Sequence, residues 1–273
     1  MKILTIFLFL FLFSFLFFSQ NVSVNLHQIS KNKNVTLDSI YSKHLEQYRS
    51  FYVYLPKKYS RETMYPVVYT TDGQSLSDSL YFNIIDSLIE HKMIKPFIMV
   101  CVFSNEKKVE NDFLDYRNYE YLKSWSNSKQ IDNKNLYEAH LKFFTEELIK
   151  FTEAKHSISS NFEERYMYGF SNGAAFCLAL GFERPNLFGN YILPSLYGGV
   201  YSINEYLSKK DTSKLLSNYY FSYGTKEIYD EFSAIKKLKR KKNIKCTITK
   251  FKGGHERVKW ADEFISFLKF NLN

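Results

Sequence analysis

Gly169-Phe170-Ser171-Asn172-Gly173 constrains this chain more than any other run of its sequence. Arg165 to Phe170 reads as a strand, and Asn172 to Glu183 as a helix of small residues. A chain that passes from strand to helix in so few residues must turn sharply. The serine at the apex takes a strained backbone conformation, and its neighbours have to be glycine or similarly small. Such a turn needs a strand ending at a sheet rim and a helix packed back over that sheet. The remaining pattern supplies both. Strands are predicted over Phe51–Pro56, Tyr65–Thr71, Phe97–Phe103, Asn190–Leu193, Tyr219–Tyr223 and Lys245–Phe251. Helical spacing covers Leu136–Lys155, Tyr229–Lys242 and Arg257–Phe270. Strand alternating with helix at this spacing predicts an α/β class: an open, mostly parallel sheet with helices on both faces. Residues 21–45 lack clear periodicity and suit a loose lead-in or an edge strand, whereas the polar, tyrosine-rich residues 105–136 form an excursion from the core.

With 45% hydrophobic and 18% aromatic residues in 273, the chain can bury one substantial core and is not intrinsically disordered. Its first residues differ in kind. Lys2 precedes an apolar run, Ile3 to Phe13 and Phe15 to Phe18, which gives way to the polar Ser19-Gln20-Asn21. This predicts a signal peptide or an N-terminal anchor over 1–20, and a domain over 21–273. No small-residue cleavage pattern precedes Asn21, which keeps the anchor open, and no cysteine lies near the exit to carry a lipid. The chain is therefore expected to be exported, periplasmic or secreted, with a membrane as partner only if the segment is retained. The net charge is +9. Its densest run, Lys236 to Lys242, suits a solvated helix face. Without a recognisable binding module it does not imply a nucleic-acid partner. Cys101, Cys177 and Cys246 each lie in an apolar stretch and read as core residues.

A serine hydroxyl is a weak nucleophile near neutral pH and needs a base. In α/β-hydrolase sheets carrying this turn, the chain order is nucleophile, acid, histidine. His255 is the one histidine after Ser171, in the glycine-flexed loop Gly253-Gly254-His255 past the last strand. The acid must follow the Tyr219–Tyr223 strand. Glu227 stands close behind the strand end, while Asp230 falls in the first turn of the next helix, where it could also serve as a cap. Glu227 is the expected partner and Asp230 the alternative. Two backbone N–H groups are needed to hold a developing oxyanion. Asn172 follows the nucleophile and Gln74 lies in Asp72-Gly73-Gln74, with Gly73 permitting the turn. No cofactor or metal is called for.

Tyr65-Pro66-Val67-Val68-Tyr69-Thr70-Thr71-Asp72-Gly73-Gln74 resembles the YPVLYLLDGQ segment of the putative-esterase family of α/β-hydrolases, which includes esterase D-like, enterochelin-esterase-like and feruloyl-esterase-like enzymes and the mycolyltransferases. Arg117-Asn118-Tyr119-Glu120-Tyr121, Phe144-Thr145-Glu146-Glu147-Leu148-Ile149 and Arg184-Pro185-Asn186-Leu187-Phe188-Gly189 are similar to further segments of it. Ala174 and Leu193-Pro194-Ser195-Leu196 depart from the family pattern. The resemblance implies an α/β-hydrolase fold and cleavage of a small-molecule carboxylic ester through an acyl-enzyme. A glutamate in the acid position is also known in the family. An acyltransferase with the same three residues, or a non-catalytic binding module on the same fold, are the alternatives. The 105–136 excursion would then wall the pocket, with Tyr119 and Tyr121 facing substrate, or be braced by an Arg117–Glu120 pair.

Overall fold

The computed structural model describes residues 32–76, 79–110, 112, 114–123, 133–209, 215–227, 231–242 and 244–273. The expected leader over 1–20 lies outside them. Eight strands form one sheet in the order β1-β2-β4-β3-β5-β6-β7-β8. They are β1 Val35–Ser42, β2 Gln47–Tyr54, β3 Val67–Thr70, β4 Ile98–Val102, β5 Arg165–Tyr168, β6 Asn190–Pro194, β7 Asn218–Gly224 and β8 Lys245–Phe251. The β1–β2 and β2–β4 pairs are antiparallel, and every pair from β4 to β8 is parallel. This is the α/β-hydrolase fold. Strands β3 to β6 are buried along their whole length, as strands covered on both faces must be.

The helices are α1 Ser79–Glu90, α2 Tyr116–Tyr121, α3 Asn133–Lys142, α4 Ile149–Lys155, α5 Asn172–Glu183, α6 Val200–Ser208, α7 Glu231–Lys239 and α8 Arg257–Asn271; a π-helical turn over Phe143–Leu148 joins α3 to α4. Alternation along the strands divides the core in two. Val67, Tyr69, Val100 and Met167 point into a cluster with α3 to α7, whereas Val68, Met99, Tyr166 and Tyr168 point into a cluster with α1 and α8. The sequence reading placed neither α1 nor α6. The stripe of α1 is Phe82, Ile85 and Leu88, all buried, but it is only three residues long between two loops. Residues 35–42 prove to be the edge strand, while residues 43–46 form the turn into β2. All three cysteines are free, and Cys246, on edge strand β8, is only half-buried. Burial pushes the Cys101 thiol up to about 12.

Candidate active site

The turn after β5 forms as its sterics require. Ser171 has φ 54° and ψ −128°, a conformation few non-glycine residues adopt, at the N-cap of α5. A Cβ on Gly169 would stand 2.6 Å from the Gly173 carbonyl oxygen and 2.7 Å from Cys177 Sγ, so the turn can close only around glycine. Ser171 N–H donates to the Pro194 carbonyl at 3.3 Å, which ties the apex to the end of β6.

His255 and Glu227 come from the neighbouring strand ends. The loops after β7 and β8 are laced together: Thr225 N–H donates to the Phe251 carbonyl and Lys226 N–H to the Gly253 carbonyl, each at 2.9 Å. That pairing brings His255 Nδ1 to 3.2 Å from Glu227 Oε1, and His255 Nε2 to 2.9 Å from Ser171 Oγ. The imidazole is 30% exposed and the carboxylate 3%, so the ring in the middle of this line meets solvent while the acid behind it is enclosed. Glu227 Oε2 accepts from Gly224 N–H at 3.0 Å. The ring of His255 meets that of Trp260 edge-on at 4.7 Å, and Trp260 stacks on Phe170 at 4.5 Å. Asp230 lies outside the described residues.

Ser195 is the residue that sequence reasoning passed over. Buried and held at φ 49°, it donates from Oγ to Glu227 Oε1 at 2.5 Å and accepts from Trp260 Nε1 at 2.7 Å. Its one signal was its place in the segment that departs from the family pattern.

Gln74 and Asn172 lie where expected, on the turn after β3 and at the first position of α5. Among the described residues neither backbone N–H has a protein acceptor. Gly73 acts differently from the expectation. Asp72, at φ 55°, takes the unusual backbone conformation, and Gly73 is needed because a Cβ there would lie 2.1 Å from the Cys101 carbonyl oxygen of β4. The Gln74 side chain donates to Ser104 Oγ and to Glu106 Oε1, which fixes the turn to the loop after β4.

The excursion braces this turn from behind. Arg117 pairs with Asp72 rather than Glu120, its Nη2 donating to Oδ2 at 2.8 Å. Burial disfavours the guanidinium charge, but Asp72 beside it more than offsets this and raises its pKa. Glu120 instead accepts from Nη1 and Nη2 of Arg49, at 2.9 and 2.8 Å. Tyr119 and Tyr121 are buried rather than lining a pocket: the Tyr121 hydroxyl accepts from Asp72 N–H, and its ring stacks on Phe176. A cavity of about 260 Å³ opens on the other side. It is lined by Ser75, Phe170 and Arg257, each one or two residues from Gln74, Ser171 or His255, and by Leu76, Tyr81 and Ala261. Among the described residues no group of His, Cys, Asp or Glu could hold a metal ion.

Residues 42–213 match the family described as "Putative esterase". The chain is 25% identical over 257 residues to an uncharacterized protein of Bacillus subtilis, YjcH, covering 88% of this chain and 98% of that protein. Among solved structures it is similar to a ferulic acid esterase, with a TM-score of 0.68 at 16% identity over 87% of this chain and 97% of the other. It is also similar to the enterochelin esterase of Shigella flexneri, with a TM-score of 0.67 at 16% identity over 87% of this chain and 57% of the other. At these identities the structural likeness speaks for the fold.

Proposed function

The chain belongs to this esterase family, and on that premise we propose that it is a serine hydrolase that cleaves a carboxylic ester through an acyl-enzyme. Ser171 is the nucleophile, His255 the general base and Glu227 the acid that orients it. The observation that carries this reading is the unbroken line from Ser171 Oγ through His255 to Glu227, at 2.9 and 3.2 Å. As Ser171 Oγ attacks the ester carbonyl carbon, its proton passes to His255 Nε2. Glu227 accepts from Nδ1–H, which fixes the tautomer and stabilises the imidazolium. The carbonyl oxygen becomes an oxyanion facing the N–H groups of Gln74 and Asn172 at the positive end of α5. Collapse of the intermediate breaks the ester bond, and the imidazolium returns its proton to the leaving alcohol. Water then repeats the sequence on the acyl group and frees Ser171. The cavity beside Phe170 suits an apolar arm of the substrate.

The test is turnover of p-nitrophenyl acetate and butyrate by the wild type and Ser171→Ala, with and without an added alcohol. Ser171→Ala should fold and lose at least about three orders of magnitude. A folded variant with near wild-type turnover overturns the mechanism, and faster product release with transfer to the alcohol identifies an acyltransferase.

A further inference from the structure

The chain's net charge is gathered in one stretch of its sequence. Residues 232–255 hold nine of its 37 Lys and Arg and no Asp or Glu. The 28 Lys and Arg that remain equal the 28 Asp and Glu, so the whole +9 belongs to this segment. It comprises most of α7, the turn after it, edge strand β8 and the start of the His255 loop. All nine basic side chains are exposed, and none enters an ion pair among the described residues. Lys236 and Lys250 shield themselves over the Phe232 ring, at 4.0 and 5.9 Å. Like charges this crowded repel one another unless an anionic partner neutralises them.

The sheet register places the densest part of the segment. Lys245 pairs with Asn218 and Asn218 with Asn190, and the same transverse row ends on Val35 at the opposite edge. This row lies towards the amino ends of the parallel strands, whereas Ser171 and His255 follow the carboxyl ends of β5 and β8. Arg240, Lys241 and Lys242, in the turn leading into β8, therefore share an end of the molecule with the chain's entry at Asn32. Lys250 and Lys252 lie towards the other end.

Large apolar side chains are exposed at the same end. Met64 precedes β3, Met93 precedes β4, Leu216 precedes β7 and Phe270 closes α8; they are 58%, 46%, 49% and 84% exposed. Lys95 N–H donates to the Leu272 carbonyl at 2.5 Å, which sets the end of α8 beside the entry to β4. Basic groups and large exposed apolar side chains at one end of the molecule suit a lipid headgroup layer, which offers anions and a shallow apolar phase together. A nucleic acid would satisfy only the charge. The sequence before Asn32 points the same way. Residues 19–31 span at most about 45 Å when extended, so the apolar run Ile3–Phe18, if retained as an anchor, would hold this end near a bilayer.

We propose that the end of the sheet opposite Ser171 is a docking surface for a membrane rich in anionic phospholipid, with the esterase site facing away from the bilayer. The inference goes beyond the esterase reading and does not depend on which residues carry the chemistry. It is tested by partitioning the full chain onto vesicles of phosphatidylcholine, alone or with about 30 mol% phosphatidylglycerol, a composition in which each nearby basic residue adds roughly fivefold. The ratio of the two partition coefficients isolates the charge contribution even if the N-terminal segment inserts in both. The anionic vesicles should be preferred by at least about 100-fold, and about 0.5 M salt should abolish the preference. Lys239→Gln/Lys241→Gln/Lys242→Gln should lower partitioning onto anionic vesicles by roughly 100-fold, with p-nitrophenyl acetate turnover unchanged. Equal partitioning onto the two vesicles, or a triple variant that binds like the wild type, overturns the proposal. Tighter binding to a DNA duplex than to anionic vesicles overturns it in favour of nucleic acid. A chain that prefers anionic vesicles but cleaves no ester keeps the surface and loses the active-site reading.

Discussion

Ser195 shows how much of the proposed site rests on a buried residue behind it. Its buried hydroxyl takes one hydrogen bond from Trp260 and gives one to Glu227. Ser195→Ala should leave the indole N–H unpaired and the carboxylate short of a donor, at a cost of about 1–3 kcal/mol. Ester turnover should fall by roughly tenfold, well short of the loss in Glu227→Gln, because the His255–Glu227 contact survives. Urea unfolding and kinetics on one ester read both quantities; equal losses in the two variants would mean that Ser195 does more than position. Arg117 gives a different kind of test. Arg117→Gln leaves Asp72 buried without its cation, which should cost about 3–5 kcal/mol. Since Arg117 braces the turn that carries Gln74, every ester should slow by a similar factor. A changed ranking of acyl-chain lengths would restore the pocket-wall role expected from the sequence.

At the scale of elements, α8 and the turn after β3 enclose the cavity beside Phe170, and Ala261 faces into it. Ala261→Phe should fill part of that space and lower kcat/KM for butyrate and longer esters by at least about tenfold while sparing acetate. An equal effect on both chain lengths would remove the cavity from substrate binding. The junction of β2, α2 and α3 holds a second buried assembly, Arg49, Glu120 and His140. His140 Nδ1 stands 3.6 Å from Glu120 Oε2, inside a shell of Tyr121, Phe143, Phe144 and Phe176. Burial lowers the His140 pKa to about 4, more than Glu120 raises it. The folded chain therefore binds this proton less readily than the unfolded one. Stability from this group is present above the unfolded pKa and is lost as pH falls from about 6.5 towards 4. Between pH 7 and 5 the loss should be about 2 kcal/mol. His140→Phe, compared with the wild type by urea unfolding at both pH values, should remove most of that slope; an unchanged slope assigns it to other groups.

For the whole molecule, one continuous sheet carries both apolar clusters, and no described helix is long and apolar enough to cross a membrane. The three free cysteines cross-link nothing. Thermal unfolding followed by near- and far-UV circular dichroism should therefore give one coincident transition, at the same temperature with and without dithiothreitol. Separate transitions for the two signals would mean that the two layers unfold independently.

The sequence by itself determined what local sterics and chain order fix. The serine turn was legible because only glycine tolerates the approach at Gly169, and β4 because a strand buried on both faces reads as a continuous apolar run. The proposed base and acid were reached from chain order as well, His255 as the one histidine after Ser171 and Glu227 from its place just behind a strand end. The edge strand β1 was harder to read, since a strand with one exposed face and few neighbours needs no strong pattern. Other features were decided only by the tertiary structure. Arg117 had Glu120 three residues away and pairs with Asp72, 45 positions back; Glu120 turns to Arg49, 71 positions back. Ser195 meets Trp260 across 65 residues. Sequence proximity favours neither partner in such pairs, because the crossovers of a parallel sheet bring distant segments together, and a buried charge or hydroxyl must pair with whatever the packing sets beside it.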